Sequence, residues 1–186
     1  MAADIDIINA ALSKLGEQPI LAISDPSPAA RLADRTYADI RDALFEEYAW
    51  NFATKRASLS AEQAAPIWGF ARAFNLPSDL LRLIELNNVT DEEWRHEGNQ
   101  IVTDKTSPLE IKYVGLVVVD LMTPTFKEAL ASRLAMEWAE PLAQTTTVVN
   151  SMALFYRNKL QVARIADGQT DRRKVIDSSD FIVARF

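Results

Sequence analysis

The sequence predicts an α+β protein in which two pairs of helices enclose a small antiparallel sheet. Near both ends of the chain, apolar residues recur at the spacing of a helix face, whereas in the middle they alternate with small or polar residues as in strands. Prolines and other turn-forming residues separate the alternating segments. We therefore expect a four-helix bundle formed by the N-terminal and C-terminal helix pairs, a β-sheet inserted between them, and an extended C-terminal arm.

Two helices are predicted before residue 50. The first covers about residues 4–15, where apolar residues share one face and Gly16 provides a stop. The second covers about residues 28–48, and Ser27 or Asp25 can cap its first turn. Its apolar stripe consists of Leu32, Thr36, Ile40, Leu44 and Tyr48.

The β insertion is expected between about residues 50 and 120. The alternating segments are WNFATKRASLS, GFARAFNLP, LRLIEL and LEIKYVGL. Their aromatic residues are interpreted as core of the sheet rather than as a platform for stacking bases, because the chain is acidic. These aromatic residues are Trp50, Phe52, Trp68, Phe70 and Phe74.

Two further helices are predicted at about residues 124–140 and 145–167. The first is expected to end at Pro141 and the second at Gly168. From that glycine onward the chain has no periodicity and too little apolar content to fold alone. We therefore expect one domain over residues 1–167 and an extended arm over residues 168–186.

Composition argues against several classes of function. The 186 residues carry a net charge of −6, which disfavours strong binding to DNA or to anionic membranes. The chain has no cysteine and a single histidine, which excludes a disulfide framework, a thiolate nucleophile and a two-histidine metal site.

Its five glycines are too scattered for a phosphate-binding loop, and no G-x-S-x-G motif is present. No stretch is long and apolar enough for a membrane span, and the N-terminus lacks the basic residues of a signal peptide. The sequence favours a protein that is not an enzyme.

One acidic segment, DEEWRHEG, could be read as a metal cluster. It brings together Asp91, Glu92, Glu93, His96 and Glu97. The spacing matches no coordination pattern, and charged residues are common in loops between strands. An exposed acidic loop is the favoured interpretation.

Several segments, in a fixed order, carry a resemblance to a known family. They are IINAALSKLGEQPI, AARLADRTYADIRDALFEEYAWNFATKR, FARAFNLPSDLLRL, GNQIVTD, PLEIKYV and MTPTFKEALASRLAMEWAEPLAQ. The most specific feature is the Trp-Asn-Phe-Ala sequence at residues 50–53, followed by a basic pair and then by the Leu-Pro-x-Asp turn at residues 76–79. In these segments, over about residues 5–165, the chain resembles the tail tubular protein A family of tailed bacteriophages.

Proteins of that family are head-to-tail connectors, also called adaptors or gatekeepers. The resemblance implies a structural virion protein that forms a ring, typically a dodecamer, under the portal protein and continues the DNA channel into the tail. It implies no catalytic residue, no metal and no cofactor, and DNA only as passing cargo. The implied partners are the portal protein, a tail or nozzle protein, and other copies of the chain. The implied location is the virion neck, after synthesis in the cytoplasm of the bacterial host.

Two sets of residues are predicted to contact partners. In the arm, apolar and basic side chains are expected to dock on the portal or on a neighbouring subunit, by strand addition or by filling a pocket. They are Arg172, Arg173, Lys174, Phe181, Ile182, Val183, Arg185 and Phe186. The alternative is that this arm folds back onto the sheet or helices of its own chain. In the acidic loop, the residues expected to face the tail are Glu92, Glu93, Trp94 and His96.

Two other functions stay open from the sequence alone. One is a different head- or tail-completion protein, or an assembly chaperone, of a phage. The other is an enzyme or a small-molecule binding protein that uses the loop around His96. Because two helix pairs and a sheet account for the apolar faces, we expect a free monomer that joins the ring only at the portal.

Overall fold

Residues 2–90, 93–143 and 145–170 are described by the structure, a computed structural model, and they form four helices and six strands. The elements are, in chain order, α1 (Ala2–Leu15), α2 (Pro28–Glu46), β1 (Thr54–Leu59), β2 (Arg72–Asn75), β3 (Leu80–Leu86), β4 (Trp94–Glu97), β5 (Gln100–Thr103), β6 (Leu109–Gly115), α3 (Pro124–Ala143) and α4 (Thr146–Thr170). The fold is mixed α+β, as predicted. Within the described ranges, none of the helices combines the length and the apolar content needed to cross a membrane.

The β insertion forms two three-stranded sheets rather than one. Sheet A has the order β1-β6-β3 and sheet B the order β2-β5-β4, and every pairing is antiparallel. A single bridge between Ala61 and Phe74 links the end of β1 to sheet B. Alternation in the sequence predicted β1, β2, β3 and β6, but β4 and β5 were missed, because the segment around Trp94 was interpreted as an exposed loop. Alternation also carries no information about which strand pairs with which.

The two sheets and the helices build two hydrophobic cores. The larger core lies among the helices, where α3 packs against α1, α2 and α4. The smaller core draws on both sheets. Its buried residues are Leu59, Phe74, Leu76, Leu86, Ile101, Leu109, Ile111 and Tyr113.

The end of α1 and the start of α2 follow the local signals that predicted them. Gly16 follows α1 with φ of +76°, a conformation that favours glycine and closes the helix. The Ser27 hydroxyl accepts a hydrogen bond from Ala30 N at 3.1 Å, so Ser27 is the cap of α2. Asp25 instead closes the preceding turn, because its carboxylate accepts a hydrogen bond from Leu21 N.

Two predicted stops in the C-terminal half were wrong. α3 includes Pro141 and ends at Ala143, because the φ to which its ring restricts proline is that of a helix, so Pro141 gives up its own N–H hydrogen bond without ending the helix at that residue. α4 passes through Gly168 and ends at Thr170. Gly168 does not adopt the positive φ of a helix stop, and the neighbouring Asp167 anchors this turn. The arm therefore does not begin at residue 168, and residues 171–186 lie outside the described part of the chain.

Two of the segments that carry the family resemblance contribute residues to the junction of the helices and sheet A. The buried Asp167 of α4 accepts hydrogen bonds from Asn51 N at 3.0 and 3.1 Å. Asn51 Nδ2 donates in return to Asp167 O at 2.9 Å. Lys55, from the basic pair, contacts Asp79 of the Leu-Pro-x-Asp turn at 2.6 Å. Lys55 also lowers the pKa of that carboxyl by donating a hydrogen bond to its charged form. These motif residues have structural roles that hold α4, the 50–53 turn and sheet A together.

Candidate interaction surfaces

The connection between β1 and β2 exposes two large apolar side chains. It covers residues 60–71, and within it Ile67 is 101% exposed and Trp68 is 86% exposed. The interpretation of Trp68 as core of the sheet was therefore wrong. Phe74 is fully buried in the smaller core, which draws on both sheets, whereas Trp50 is fully buried in the larger core among the helices. A side chain reaches a sheet core when its own segment pairs as a strand, and residue 68 lies between two strands. An exposed pair of this size is typical of a contact surface.

Residues 62–70 of this connection, hereafter the 62–70 loop, are fixed at both ends. Glu62 N donates to Ala73 O at 2.8 Å, which holds the start of the loop against β2. At the other end, Ala71 N donates to the Asp104 carboxylate at 2.8 Å, and Arg72 Nη1 donates to Asp104 O at 2.9 Å. The exposed apolar pair is thus presented by a loop whose base is bound to sheet B.

A groove of about 840 Å³ lies between the 62–70 loop and sheet B. Its apolar lining comes from the loop together with Ala73 on β2 and Val102 on β5. Arg95 and Glu97, on β4, supply charged groups at the same groove. The groove can therefore receive a mainly apolar segment that also carries polar or charged groups at one edge.

The residues predicted to face the tail do not form one exposed loop. Glu92 lies outside the described residues, and Trp94 is half-buried against the smaller core. Glu93 binds Thr90 N at 3.0 Å and the Lys105 ammonium at 3.1 Å, so its carboxylate supports the fold. His96 is exposed on β4.

Sequence reasoning missed two parts of this surface. Arg95 and Glu97 line the groove, and they alternate along β4 with the predicted Trp94 and His96. The Ile67–Trp68 pair lies between Pro66 and Gly69, and Gly69 has φ of +91°. An apolar pair between a proline and a glycine belongs to a turn rather than a strand, and this signal could have predicted its exposure.

Acid is expected to weaken the fold through Glu93. The Thr90 backbone N–H and then the Lys105 ammonium lower the pKa of Glu93 to about 2. Because this value lies below the ordinary value of 4.5, Glu93 contributes stability above pH 4.5 that is lost as the pH falls through 2. Denaturant unfolding of Glu93→Gln should show a shallower loss of stability over that interval than the wild type. Glu97→Gln, on the neighbouring strand, is the matched control, and equal slopes for Glu93→Gln and the wild type would contradict the assignment.

A second apolar surface lies on α4. Leu154, Val162 and Ile165 are exposed on the side of the helix opposite the buried Tyr156 and Ala163. These three residues are called the outer face of α4 below. A groove of about 410 Å³ lies beside them, lined by Arg157, Leu160, Gln161, Arg164 and Ile165. Phe155 lies at the edge of this surface, where the ammonium groups of Lys14 and Lys159 are 5.4 and 5.0 Å from its ring centre.

Side chains that could bind a metal do not converge in the described ranges. Over residues 2–90, 93–143 and 145–170, no group of three or more His, Asp or Glu side chains is placed to hold a metal ion. The acidic segment around His96 accordingly shows no such group in its described residues. All eight arm residues predicted to bind partners lie beyond Thr170, outside the described residues.

Comparison with known proteins does not assign this chain to a family. No protein-family model matches the sequence, and no curated protein matches it. The resemblance to the tail tubular protein A family stays a prediction that rests on the ordered segments quoted above.

Proposed function

We propose that this protein is a structural subunit of a phage head-to-tail connector, assembled as a ring between the portal and the tail. The observation that carries the proposal is the exposure of large apolar side chains on two separate surfaces. One is the 62–70 loop with Ile67 and Trp68, and the other is the outer face of α4. A ring subunit needs distinct surfaces, because each copy contacts its two neighbours through different patches and still has to bind other partners.

In this proposal, the four helices pack as a bundle around α3 and make the contacts along the ring and to the portal. Sheet B and the 62–70 loop extend toward the tail or nozzle protein. The net charge of −6 suits a channel through which DNA has to slide, because an acidic wall does not bind phosphates. The protein carries out no reaction and requires no cofactor in this role. Its location would be the virion neck.

Native mass spectrometry of the protein with the portal protein of the same phage tests the proposal. We expect a monomer in the protein alone and a ring of many copies on the portal, because weak single contacts become sufficient when the portal presents many sites together. A stable ring without the portal would contradict assembly from monomers. A transient complex that leaves no subunit on the portal would favour an assembly chaperone instead.

Replacing Ile67 and Trp68 is expected to weaken the binding of tail protein without destabilising the fold. The double variant Ile67→Ser, Trp68→Ser should keep its free energy of unfolding within about 0.5 kcal/mol of the wild type, because both side chains are already in solvent. Portal-bound rings of the variant should form but should retain much less tail or nozzle protein in a co-sedimentation assay.

The matched control is Leu21→Ser, which removes an apolar side chain that is equally exposed but lies on neither surface. This variant should retain tail protein as the wild type does. If the double variant and the wild type retain equal amounts of tail protein, the 62–70 loop is not part of the proposed interface.

A further inference from the structure

The outer face of α4 is an apolar stripe on a helix that already buries its opposite side. Tyr156 and Ala163 are directed into the protein, whereas Leu154 and Ile165 are 66% and 54% exposed. A helix with apolar residues on both sides is usually covered on both. The outer face of α4 therefore requires a partner.

The charged side chains that α4 exposes are all basic. They are Arg157, Lys159 and Arg164. The one acidic residue of the helix, Asp167, is buried and accepts hydrogen bonds from Asn51 N. Arg157 is exposed beside Leu154 and forms no ion pair with any residue in the ranges 2–90, 93–143 and 145–170. The partner of this face should therefore combine apolar side chains with a carboxylate.

A second surface of the same chain has that composition. It lies in the connection between β6 and α3, residues 116–123, where Val118 is 66% and Leu121 is 63% exposed. Asp120 stands between these two residues in the sequence and is itself exposed. Val118, Asp120 and Leu121 are called the connection surface below.

The carboxylate of the connection surface is available to a partner. Asp120 forms no ion pair within the part of the chain that the structure describes. Two basic groups lie near it. Arg41 lines the same cavity as Asp120 but is already paired with Asp42 at 2.7 Å, and Lys127 lines a neighbouring cavity together with Asp6 of α1. The connection surface thus presents a free carboxylate between two apolar side chains.

We propose that the outer face of α4 in one copy of this chain binds the connection surface of a second copy. Arg157 lies against Asp120 in this contact, and the apolar side chains beside them cover each other. Because both surfaces are exposed in one folded chain, they can meet only between two copies.

The contact is directional, because its two sides are different surfaces. Each copy that uses its α4 face still has a free connection surface, so the contact repeats head to tail. Such a repeat closes into a ring or extends as a filament, depending on its rotation. Closure into a ring under the portal rests on the proposed function, whereas the contact between copies does not.

Charge reversal in the full-length protein tests the contact. Sedimentation equilibrium at increasing protein concentration should show weak self-association of the wild type, which is a monomer when dilute. Arg157→Glu and Asp120→Arg should each lower the association constant about tenfold, because each places like charges against each other. Both side chains are exposed, so urea unfolding of the two variants should match that of the wild type.

An equimolar mixture of the two variants is the decisive measurement. Every contact between unlike copies in this mixture again brings opposite charges together, once in the wild-type order and once reversed. The mixture should therefore associate as strongly as the wild type, although neither variant does so alone. A mixture that associates no better than its separate components would overturn the proposal. A wild type that stays monomeric at every concentration would also overturn it.

The matched controls are Arg56→Glu on β1 and Asp34→Arg on α2. They change the net charge by the same amounts at exposed residues that belong to neither surface. Both controls should associate as the wild type does. If they lose as much association as Arg157→Glu and Asp120→Arg, the net charge and not the proposed contact governs self-association.

Ring formation on the portal is measured separately with the same proteins. If the mixture regains self-association but the wild type forms no ring on the portal, the connector is contradicted and the contact is supported. If the wild type and both single variants form rings on the portal equally well, the connector is supported and the contact is contradicted.

Discussion

Trp50→Ala is expected to lower the free energy of unfolding by about 3–5 kcal/mol, the largest stability effect predicted for this chain. Trp50 is fully buried, and its ring centre lies 5.0 Å from that of Phe126 on α3 and 4.9 Å from that of Tyr48. Its indole Nε1 donates to Leu44 O at 3.0 Å. Leu44 lies in the last turn of α2, where carbonyls have no partner within the helix. The substitution would therefore leave a cavity and remove the partner of a helix end.

Urea unfolding followed by circular dichroism measures this loss. Trp50→Phe should lose less than Trp50→Ala, because the aromatic packing is largely kept and only the indole hydrogen bond is removed. Trp68→Ala is the matched control, since it truncates the same residue type at an exposed position. Similar losses at residues 50 and 68 would show that the burial of Trp50 does not govern stability.

Asp167→Ala should destabilise the protein by about 1.5–3 kcal/mol, because it removes the buried carboxylate that accepts the hydrogen bond from Asn51 N. Asp167 joins the last turns of α4 to the turn that carries Trp50. The loss of stability should therefore be concentrated at the end of α4. Hydrogen exchange is expected to show faster exchange of the amides of residues 163–170 in the variant than in the wild type.

Two further variants test whether the destabilisation comes from the loss of the Asp167 carboxylate. Asp167→Asn keeps an acceptor for Asn51 N and should lose less stability than Asp167→Ala. Asp34→Ala removes an exposed carboxylate from α2 and should leave the stability close to that of the wild type. An Asp167→Ala variant as stable as Asp34→Ala would exclude Asp167 as the link between α4 and the 50–53 turn.

The helices were predictable because their signals are local. The Ser27 cap, the glycine after α1 and the apolar stripes each act within a few residues of the backbone they shape. The errors at Pro141 and Gly168 show the limit of such signals. Pro141 keeps a helical φ and α3 continues to Ala143, and a glycine remains helical where a distant residue, here Asn51, anchors the neighbouring turn.

The candidate surfaces were less predictable, because exposure depends on what lies across a residue in space. Trp50 and Trp68 belong to similar alternating patterns, yet one is at the centre of the larger core and the other is in solvent. Neither residue lies in a strand: Trp50 precedes β1 and packs against the helices, whereas Trp68 lies in the connection between β1 and β2. The outer face of α4 was hidden for a related reason, since its apolar residues resemble those of a core face until the packing of α3 defines the inner side.

The sequence by itself determined the α+β class, the order of two helices, a β region and two helices, the end of α1 and the start of α2, because periodicity and capping are properties of neighbouring residues. Only the tertiary structure decided that the strands divide into two sheets, that Asp167 anchors the 50–53 turn, and that Trp68 and the outer face of α4 face solvent. Those features arise from contacts between residues that are far apart in the chain, and a linear pattern does not encode which distant residues will meet.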